Sequence, residues 1–202
     1  MRVIITGGTG LIGTALSKSL LADGHEVIAL SRNPATRDGL PPEVQVVGWD
    51  ARTAKGWGQM VDGAGAIVNL AGANLAGQGF LPSRWTRERK RIIRDSRVYS
   101  SQAVVEAVEE ARVKPGVLIQ ASGVGYYGHR GDQVVTEDTQ PGDDYLARLS
   151  AEEWEPSSEP VERMGVRRVI ARSGAVFSAE EGALPRMALP FRLFAGGRLG
   201  NG

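Results

Sequence analysis

Four glycines lie between a short apolar run and an amphipathic segment, and they restrict the possible folds of this chain more than any other feature. They are Gly7, Gly8, Gly10 and Gly13. The run over residues 3–6 is β-branched, and apolar residues then recur at helical spacing as far as Leu20. Glycine at such a junction permits a tight turn and leaves room for a ligand against the main chain. The pattern predicts a strand, a turn and a helix whose N-terminal amides bind phosphate.

Six short apolar runs, rich in β-branched residues, alternate with helical patterns along the chain. The runs cover residues 3–6, 27–30, 44–47, 67–70, 117–121 and 166–171. Continuous apolar strands of this kind are buried on both faces, which is typical of a parallel sheet. The sequence therefore predicts an α/β fold with a Rossmann-like, doubly wound parallel sheet.

Capping residues and prolines predict where the helices begin and end. Gly24 is expected to cap the first helix, and the longest helix is expected over residues 83–112, with Ser83 as a possible N-cap and a kink or break within it. Two prolines bracket two serines over residues 155–160, which predicts a helix-ending loop. The glycine-rich end of the chain completes no element, so we expect either a continuing polypeptide or a disordered end.

The glycines fit two dinucleotide-binding patterns, G-x-G-x-x-G from Gly8 and G-x-x-G-x-x-G from Gly7. Their position between the strand and the helix of a βαβ unit makes either pattern more specific than the letters alone. The alternative is a tight turn with a purely structural role. We predict that a cofactor lies against this loop and against the end of the fourth strand. The residues predicted to bind it there are Gly7, Gly8, Thr9, Gly10, Leu11, Ile12, Gly13, Leu70, Ala71 and Gly72.

The end of the second strand indicates which dinucleotide is bound. A domain selective for NAD carries an acidic residue there for the ribose 2′-hydroxyl, whereas this chain has Ser31 and Arg32. A guanidinium fork suits a 2′-phosphate, so the sequence favours NADP over NAD. Arg32 as a solvated loop residue is the alternative. Asp50, after the third strand, is predicted either to accept from the adenine amino group or to stabilise a turn.

Composition narrows the classes of partner. The formal net charge of +1 gives no overall attraction to nucleic acid, and the basic residues over 84–97 go round their helix rather than along one face. With no cysteine and only two histidines, no metal site is predicted. The chain lacks a signal-peptide core, and no apolar stretch approaches the roughly 20 residues that span a bilayer. We expect a cytoplasmic protein with a small-molecule partner and neither a nucleic-acid nor a membrane partner.

Several strings together resemble one family. They are TGGTGLIG, VNLAGAN, KRIIRDSR, ASGVGYYG, PGDDYL, RSGAVF and LPFRLFAGGRLGNG. In this order they resemble the extended short-chain dehydrogenase/reductases, and within them the nucleotide-sugar-epimerase-like branch (the NAD-dependent epimerase/dehydratase family). The resemblance implies NADP-dependent hydride transfer on a nucleotide sugar or a similar substrate, and a helix that often pairs in a homodimer. It also implies an NADP-binding domain over 1–175 and, over 176–202, the start of an incomplete carboxy-terminal substrate-binding region.

The resemblance also implies which residues are catalytic. The superfamily uses a serine and a tyrosine, with a lysine four residues after the tyrosine that lowers its pKa. Ser122 matches the serine and Tyr145 the tyrosine, but residue 149 is leucine. Without the lysine, Tyr145 is expected to keep a phenol pKa near 10 and stay protonated at neutral pH. Arg148 is a poor substitute, because a guanidinium is permanently charged and differently shaped.

Other polar residues near the predicted strand ends have two interpretations each. Tyr127, like its neighbour Tyr126, either contacts substrate or packs, and Arg172 either binds substrate phosphate or pairs with an acidic neighbour. Asp143 or Asp144 is predicted to cap the helix that carries Tyr145. The favoured hypothesis is an NADP-dependent epimerase or oxidoreductase. An NADP-binding sensor without catalytic activity is the alternative, and a structural protein with no cofactor is a third.

Overall fold

A single six-stranded parallel sheet forms the centre of the computed structural model, which describes residues 1–77, 84–179 and 182–198. The strands are β1 (Arg2–Thr6), β2 (Glu26–Ser31), β3 (Gln45–Gly48), β4 (Ala66–Asn69), β5 (Val117–Gly123) and β6 (Arg167–Ser173). Their order is β3-β2-β1-β4-β5-β6, and every neighbouring pair is parallel. All six predicted strands are present. The chain winds outward in both directions from β1, so a crevice opens at the carboxyl ends of β1 and β4.

Five α-helices lie in the described part of the chain. They are α1 (Leu11–Ala22), α2 (Arg87–Glu110), α3 (Tyr145–Arg148), α4 (Pro160–Arg163) and α5 (Ala183–Arg192). The first helix ends at Ala22 with Asp23 as its C-cap, and Gly24 follows with a φ of 75°, as its predicted capping role requires. Asp144 caps α3, because its Oδ1 accepts from the amides of Leu146 and Ala147.

Two of the helix predictions were wrong. The long helix α2 is one unbroken element of 24 residues, and Thr86 caps it by accepting from the Arg89 amide; Ser83 lies outside the described residues. The segment 155–160 is helical rather than a loop, because Leu149–Trp154, Pro156–Ser158 and α4 continue from α3. Each proline stands in a first turn, where a missing amide costs no hydrogen bond.

The sheet is covered on both faces. Ile4, Ile28, Ile67 and Leu118 face the core that α2 covers, together with the fully buried Trp57. Val3, Ile5, Val27 and Ala29 face the opposite core, against which Leu16 and Leu20 of α1 pack. Alternate residues of β1, β2 and β4 thus enter different cores, which explains the continuous apolar runs of these inner strands.

The last described residues form a short bridged segment and α5. Phe177 pairs with Gly182, and the Arg186 guanidinium donates to the Gly77 carbonyl at 3.4 Å. The boundary predicted at residue 175 stays a prediction. Among the described helices, none has both the length and the apolar character that crossing a bilayer requires.

Candidate functional site

The glycine loop turns at Gly7. Its φ is 65°, and a Cβ built on it would lie 3.2 Å from the amide nitrogen of Ala71. A Cβ on Gly8 would lie 2.6 Å from the Ala29 side chain, and one on Gly13 would lie 2.6 Å from the Gly7 carbonyl. The positive φ of Gly7 shows that the turn follows the pattern that starts at Gly7. Gly8 and Gly13 have a different constraint, because a side chain at either position would collide with β2 or with the glycine loop.

A cleft of about 390 Å³ opens at the crevice between β1 and β4. Eight of the predicted cofactor residues line it, namely Gly7, Thr9, Gly10, Ser31, Arg32, Leu70, Ala71 and Gly72. Leu11, Ile12 and Gly13 form the first turn of α1, where backbone N–H groups have no partner within the helix. Gly8 lies behind the loop against β2. Eight of the predicted residues thus share one cleft, and the first turn of α1 follows directly after the cleft-lining Gly10.

A buried chain of polar side chains holds the segment after β4 in place. Thr6 Oγ1 donates to Asn69 Oδ1 at 2.5 Å and accepts from the Ala71 amide at 3.1 Å. Asn69 in turn donates to Gln120 Oε1 at 2.8 Å and to Ser101 Oγ at 3.2 Å. Because each buried group is hydrogen-bonded, this chain fixes the wall of the cleft opposite the glycine loop.

Arg32 projects from the end of β2 into open space. Its side chain is exposed and, within the described residues, makes no ion pair or hydrogen bond. Ser31 has its hydroxyl engaged by its own loop, since it donates to the Asn33 carbonyl and accepts from the Asn33 amide. Arg32 lines both the cleft and an adjoining cavity of about 450 Å³. A free guanidinium therefore stands where the two cavities meet.

Asp50 lines the adjoining cavity but stabilises a turn. Its Oδ1 accepts from the amides of Arg52 and Thr53, and its Oδ2 accepts from the Thr53 hydroxyl. Burial opposes ionisation, but these donors together outweigh it and hold the pKa of Asp50 below its ordinary value. The geometry favours the turn interpretation of Asp50 over the contact with adenine.

On the far side of the crevice, Ser122 belongs to a closed cluster. Its Oγ donates to Glu155 Oε1 at 2.6 Å. Arg172 pairs with both oxygens of Glu155, at 2.9 and 2.8 Å, and donates to the Tyr127 hydroxyl at 2.9 Å. Its guanidinium also lies 3.5 Å from the centre of the Tyr126 ring. Hydrogen bonding to Glu155 raises the pKa of Arg172, although burial acts in the opposite direction.

The contacts within this cluster favour a structural role for Arg172 and for Tyr127, the two predicted substrate-binding residues. Arg172 donates to Glu155, to Tyr127 and to the Glu137 carbonyl, so the geometry favours the structural pairing over a phosphate clamp. Tyr127 is 8% exposed and holds Arg172 with its hydroxyl, which favours packing. Ser122 is oriented by Glu155, a carboxylate to which sequence reasoning gave no role in the site.

Tyr145 is not hydrogen-bonded to the Ser122 cluster. Its hydroxyl donates to the Lys90 carbonyl of α2 at 2.7 Å, and its ring packs edge-to-face on Trp85. Burial raises the pKa of the phenol, and Glu153 adds to that shift, whereas Arg97 and Arg94 lower it. Leu149, in the position of the absent lysine, is 3% exposed and apolar. In this arrangement Tyr145 joins α3 to α2 as a protonated phenol.

The model of the NAD dependent epimerase/dehydratase family matches residues 3–190. The chain belongs to this family. The epimerase family protein YfhF of Bacillus subtilis is 37% identical over 202 residues, which are all of this chain and 63% of that protein. The epimerase family protein ML0860 of Mycobacterium leprae is 36% identical over 99% of this chain and 61% of its own length. The chain thus spans less than two thirds of these family members.

Solved structures of the family have the same fold. The human epimerase family protein SDR39U1 (isoform 2), crystallised with NADPH, is 34% identical with a TM-score of 0.81, over 100% of this chain and 63% of that one. The nucleoside-diphosphate sugar epimerase of Corynebacterium glutamicum is 35% identical with a TM-score of 0.76, over 100% of this chain and 39% of that one. The UDP-glucuronic acid 4-epimerase of Bacillus cereus, with NAD, shares 18% identity and a TM-score of 0.73 over 96% of this chain and 64% of that one, which shows the fold alone.

Several residues of this family member's site were missed by sequence reasoning. Asn33, Thr36, Trp49, Ala51 and Ser96 also line the cleft. Ala51 has a φ of 59°, which is unusual for a residue with a side chain. Asn33 and Thr36 follow Arg32 closely and could have been found as neighbours of a predicted phosphate ligand. Ser96 comes from α2, and no local pattern marks it.

Proposed function

We propose that this chain binds NADP and takes part in hydride transfer between that cofactor and a hydroxyl- or carbonyl-bearing substrate such as a nucleotide sugar. The observation that carries the proposal is Arg32, which is free, charged and placed at the cleft where a NAD-selective domain has an acid. The NADPH-containing human relative, at 34% identity, supports the same cofactor.

The residues of the cleft fit a dinucleotide. The turn at Gly7 and the cleft-lining Gly10 leave the main chain bare where a diphosphate approaches the first amides of α1. Arg32 then receives the 2′-phosphate as a charge-assisted partner. The segment 70–72, fixed through Thr6 and Asn69, forms the opposite wall. A dinucleotide held by these residues would supply the hydride chemistry.

Ser122 is the residue that we propose to contact the substrate oxygen. Its proton points to Glu155, so the lone pairs of its Oγ stay available to accept a hydrogen bond from a substrate hydroxyl. Glu155 is a positioning residue that orients this hydroxyl. Tyr145, the second predicted catalytic residue, would have to leave the Lys90 carbonyl in order to join the reaction.

The cofactor assignment is tested by Arg32→Glu, with NADPH and NADH affinity measured by calorimetry. The variant replaces a phosphate partner by a repelling carboxylate, so NADPH affinity should fall by roughly tenfold or more. NADH, which lacks the 2′-phosphate, should lose less. The matched control is Arg167→Glu, because Arg167 is exposed at the opposite end of the sheet. An unchanged preference in Arg32→Glu would overturn the assignment of Arg32.

A cofactor sensor without turnover is the second candidate function. Two observations favour it, namely the apolar Leu149 and the engaged hydroxyl of Tyr145. Following NADPH oxidation with a panel of nucleotide sugars and simple carbonyl compounds separates the two. Turnover that Ser122→Ala abolishes supports the enzyme, whereas tight NADPH binding with no turnover supports the sensor. A cytoplasmic location and a homodimer stay predictions for cell fractionation and light scattering.

A further inference from the structure

Arg97 is a buried cation without an anionic partner. It lies on α2 and is only 9% exposed, yet it makes no ion pair within the described residues. Its Nη1 donates to the carbonyls of Ala73 and Ile93, and no partner for Nε or Nη2 is present in the same part of the chain. Burial lowers the pKa of Arg97 to about 10, with Arg89 acting in the same direction. A buried charge left in this state favours the arrival of an anion.

Two further donors around Arg97 also lack acceptors. The Trp154 ring lies under its guanidinium at 4.9 Å, and the indole N–H of Trp154 is buried without a hydrogen-bond partner. Nε of Arg89, one of the groups that lower the pKa of Arg97, is buried and unpartnered as well. Buried polar atoms of native proteins are nearly always satisfied. Two buried donors without acceptors, beside a guanidinium whose Nε and Nη2 are open, therefore indicate a missing acceptor.

The cluster of Arg97, Arg89 and Trp154 lies beside the proposed reaction site. A Cβ on Gly72 would be 3.3 Å from the Arg97 guanidinium carbon, and Gly72 lines the cofactor cleft. On the other side, Trp154 directly precedes Glu155, whose carboxylate accepts from Ser122. The cluster thus contacts the cleft wall through Arg97, and Trp154 is one residue away in sequence from the carboxylate that accepts from Ser122.

We propose that this cluster binds an anionic oxygen group of the substrate, a carboxylate or a phosphate. The inference rests on the proposed function, because it places the substrate next to the bound cofactor. The anion would accept from the open atoms of Arg97 and from the indole N–H of Trp154. Recognition of this kind selects charged substrates, since a neutral amide of the same shape would leave the guanidinium uncompensated.

The test titrates the protein, saturated with NADPH, with acetate and with inorganic phosphate at constant ionic strength. Thermal stability is the readout, and acetamide is the neutral control. At least one anion should give a saturable rise in melting temperature that acetamide does not give. In Arg97→Met the apparent affinity should fall by roughly tenfold or more, and Arg97→Lys should recover part of it. Arg112→Met, at an exposed arginine, should leave the response unchanged.

Three results would overturn this proposal. One is the absence of a saturable response to either anion in the unmodified protein. The second is an equal response in Arg97→Met and in the unmodified protein, with both shown to be folded. The third is a saturable response that is present without NADPH and absent when NADPH is bound, which would assign the cluster to the phosphates of the cofactor. Failure of NADPH to bind at all would instead overturn the proposed function. The anion site could then still be tested, by titrating Arg97→Met and the unmodified protein without NADPH.

Discussion

The two sides of the crevice differ in whether their polar groups already have hydrogen-bond partners. On the cofactor side, Arg32 is free and the glycine loop leaves its main chain bare. On the other side, Ser122, Glu155, Arg172 and Tyr127 satisfy one another. A surface that binds a charged ligand without rearrangement keeps its donors open, whereas a closed network holds one hydroxyl in one orientation. The open side thus suits the cofactor binding that we propose, and the closed side suits the positioning role that we propose for Glu155.

The largest expected effect tests whether the Ser122 side is a closed network. Glu155→Ala leaves the Arg172 guanidinium, which is 18% exposed, without its carboxylate. Removing one partner of a largely buried pair should lower the free energy of unfolding by about 3 kcal/mol, measured by urea denaturation. The cost should be much smaller when Arg172→Ala is already present, because no uncompensated charge then remains.

The exposed pair of Glu88 and Arg91 provides the control for this prediction. Both side chains are mostly in solvent, so Glu88→Ala should leave the urea midpoint unchanged within error. If Glu155→Ala were as mild as Glu88→Ala, the contrast between an open and a closed side of the crevice would be lost.

A smaller effect on the free energy of unfolding is expected from the glycine loop, where a substitution causes a steric clash rather than an unpaired charge. In Gly13→Ala the new methyl group would lie 2.6 Å from the Gly7 carbonyl oxygen and from the Gly8 Cα. Overpacking against backbone should lower the free energy of unfolding by about 2 kcal/mol. NADPH affinity, measured by calorimetry, should fall as well, because the loop moves. Gly174→Ala is the matched control, since no atom lies within 4 Å of its added Cβ. Equal effects of the two substitutions would contradict the packing role of Gly13.

The sequence predicted the elements around the glycine loop well because their signals are local. Strand β1, the glycine loop and α1 are contiguous, and Arg32 follows directly after β2. Apolar runs rich in β-branched residues located all six strands, and the inner strands β1, β2 and β4 are buried on both faces. The sequence left open which of the two glycine patterns forms the turn. The structure decides this, because Gly7 has a positive φ and lies close to the backbone of residues 70–71, and neither feature can be read from the sequence.

The Ser122 side could not be predicted in the same way, because its contacts are distant in sequence. Ser122 and Glu155 are 33 residues apart, and Tyr145 and the Lys90 carbonyl are 55 apart. The prolines at 156 and 160 predicted a loop, yet both fit in first turns of a continuing helical path that brings Glu155 to β5. No spacing rule links a strand-end serine to a carboxylate carried by such a path.

The smallest expected effect tests whether Tyr145 has a structural role, which is to join α3 to α2 through its hydroxyl. Tyr145→Phe removes the hydrogen bond to the Lys90 carbonyl and should cost about 1 kcal/mol at neutral pH. Burial raises the pKa of this phenol in the folded state, so its contribution is complete below the ordinary value of about 10 and is lost as the pH rises through the folded value. Urea denaturation at neutral and alkaline pH should show the difference between the two proteins shrinking above pH 10. Loss of NADPH turnover in Tyr145→Phe without any change in stability would contradict this, because the phenol would then act on the substrate rather than join α3 to α2.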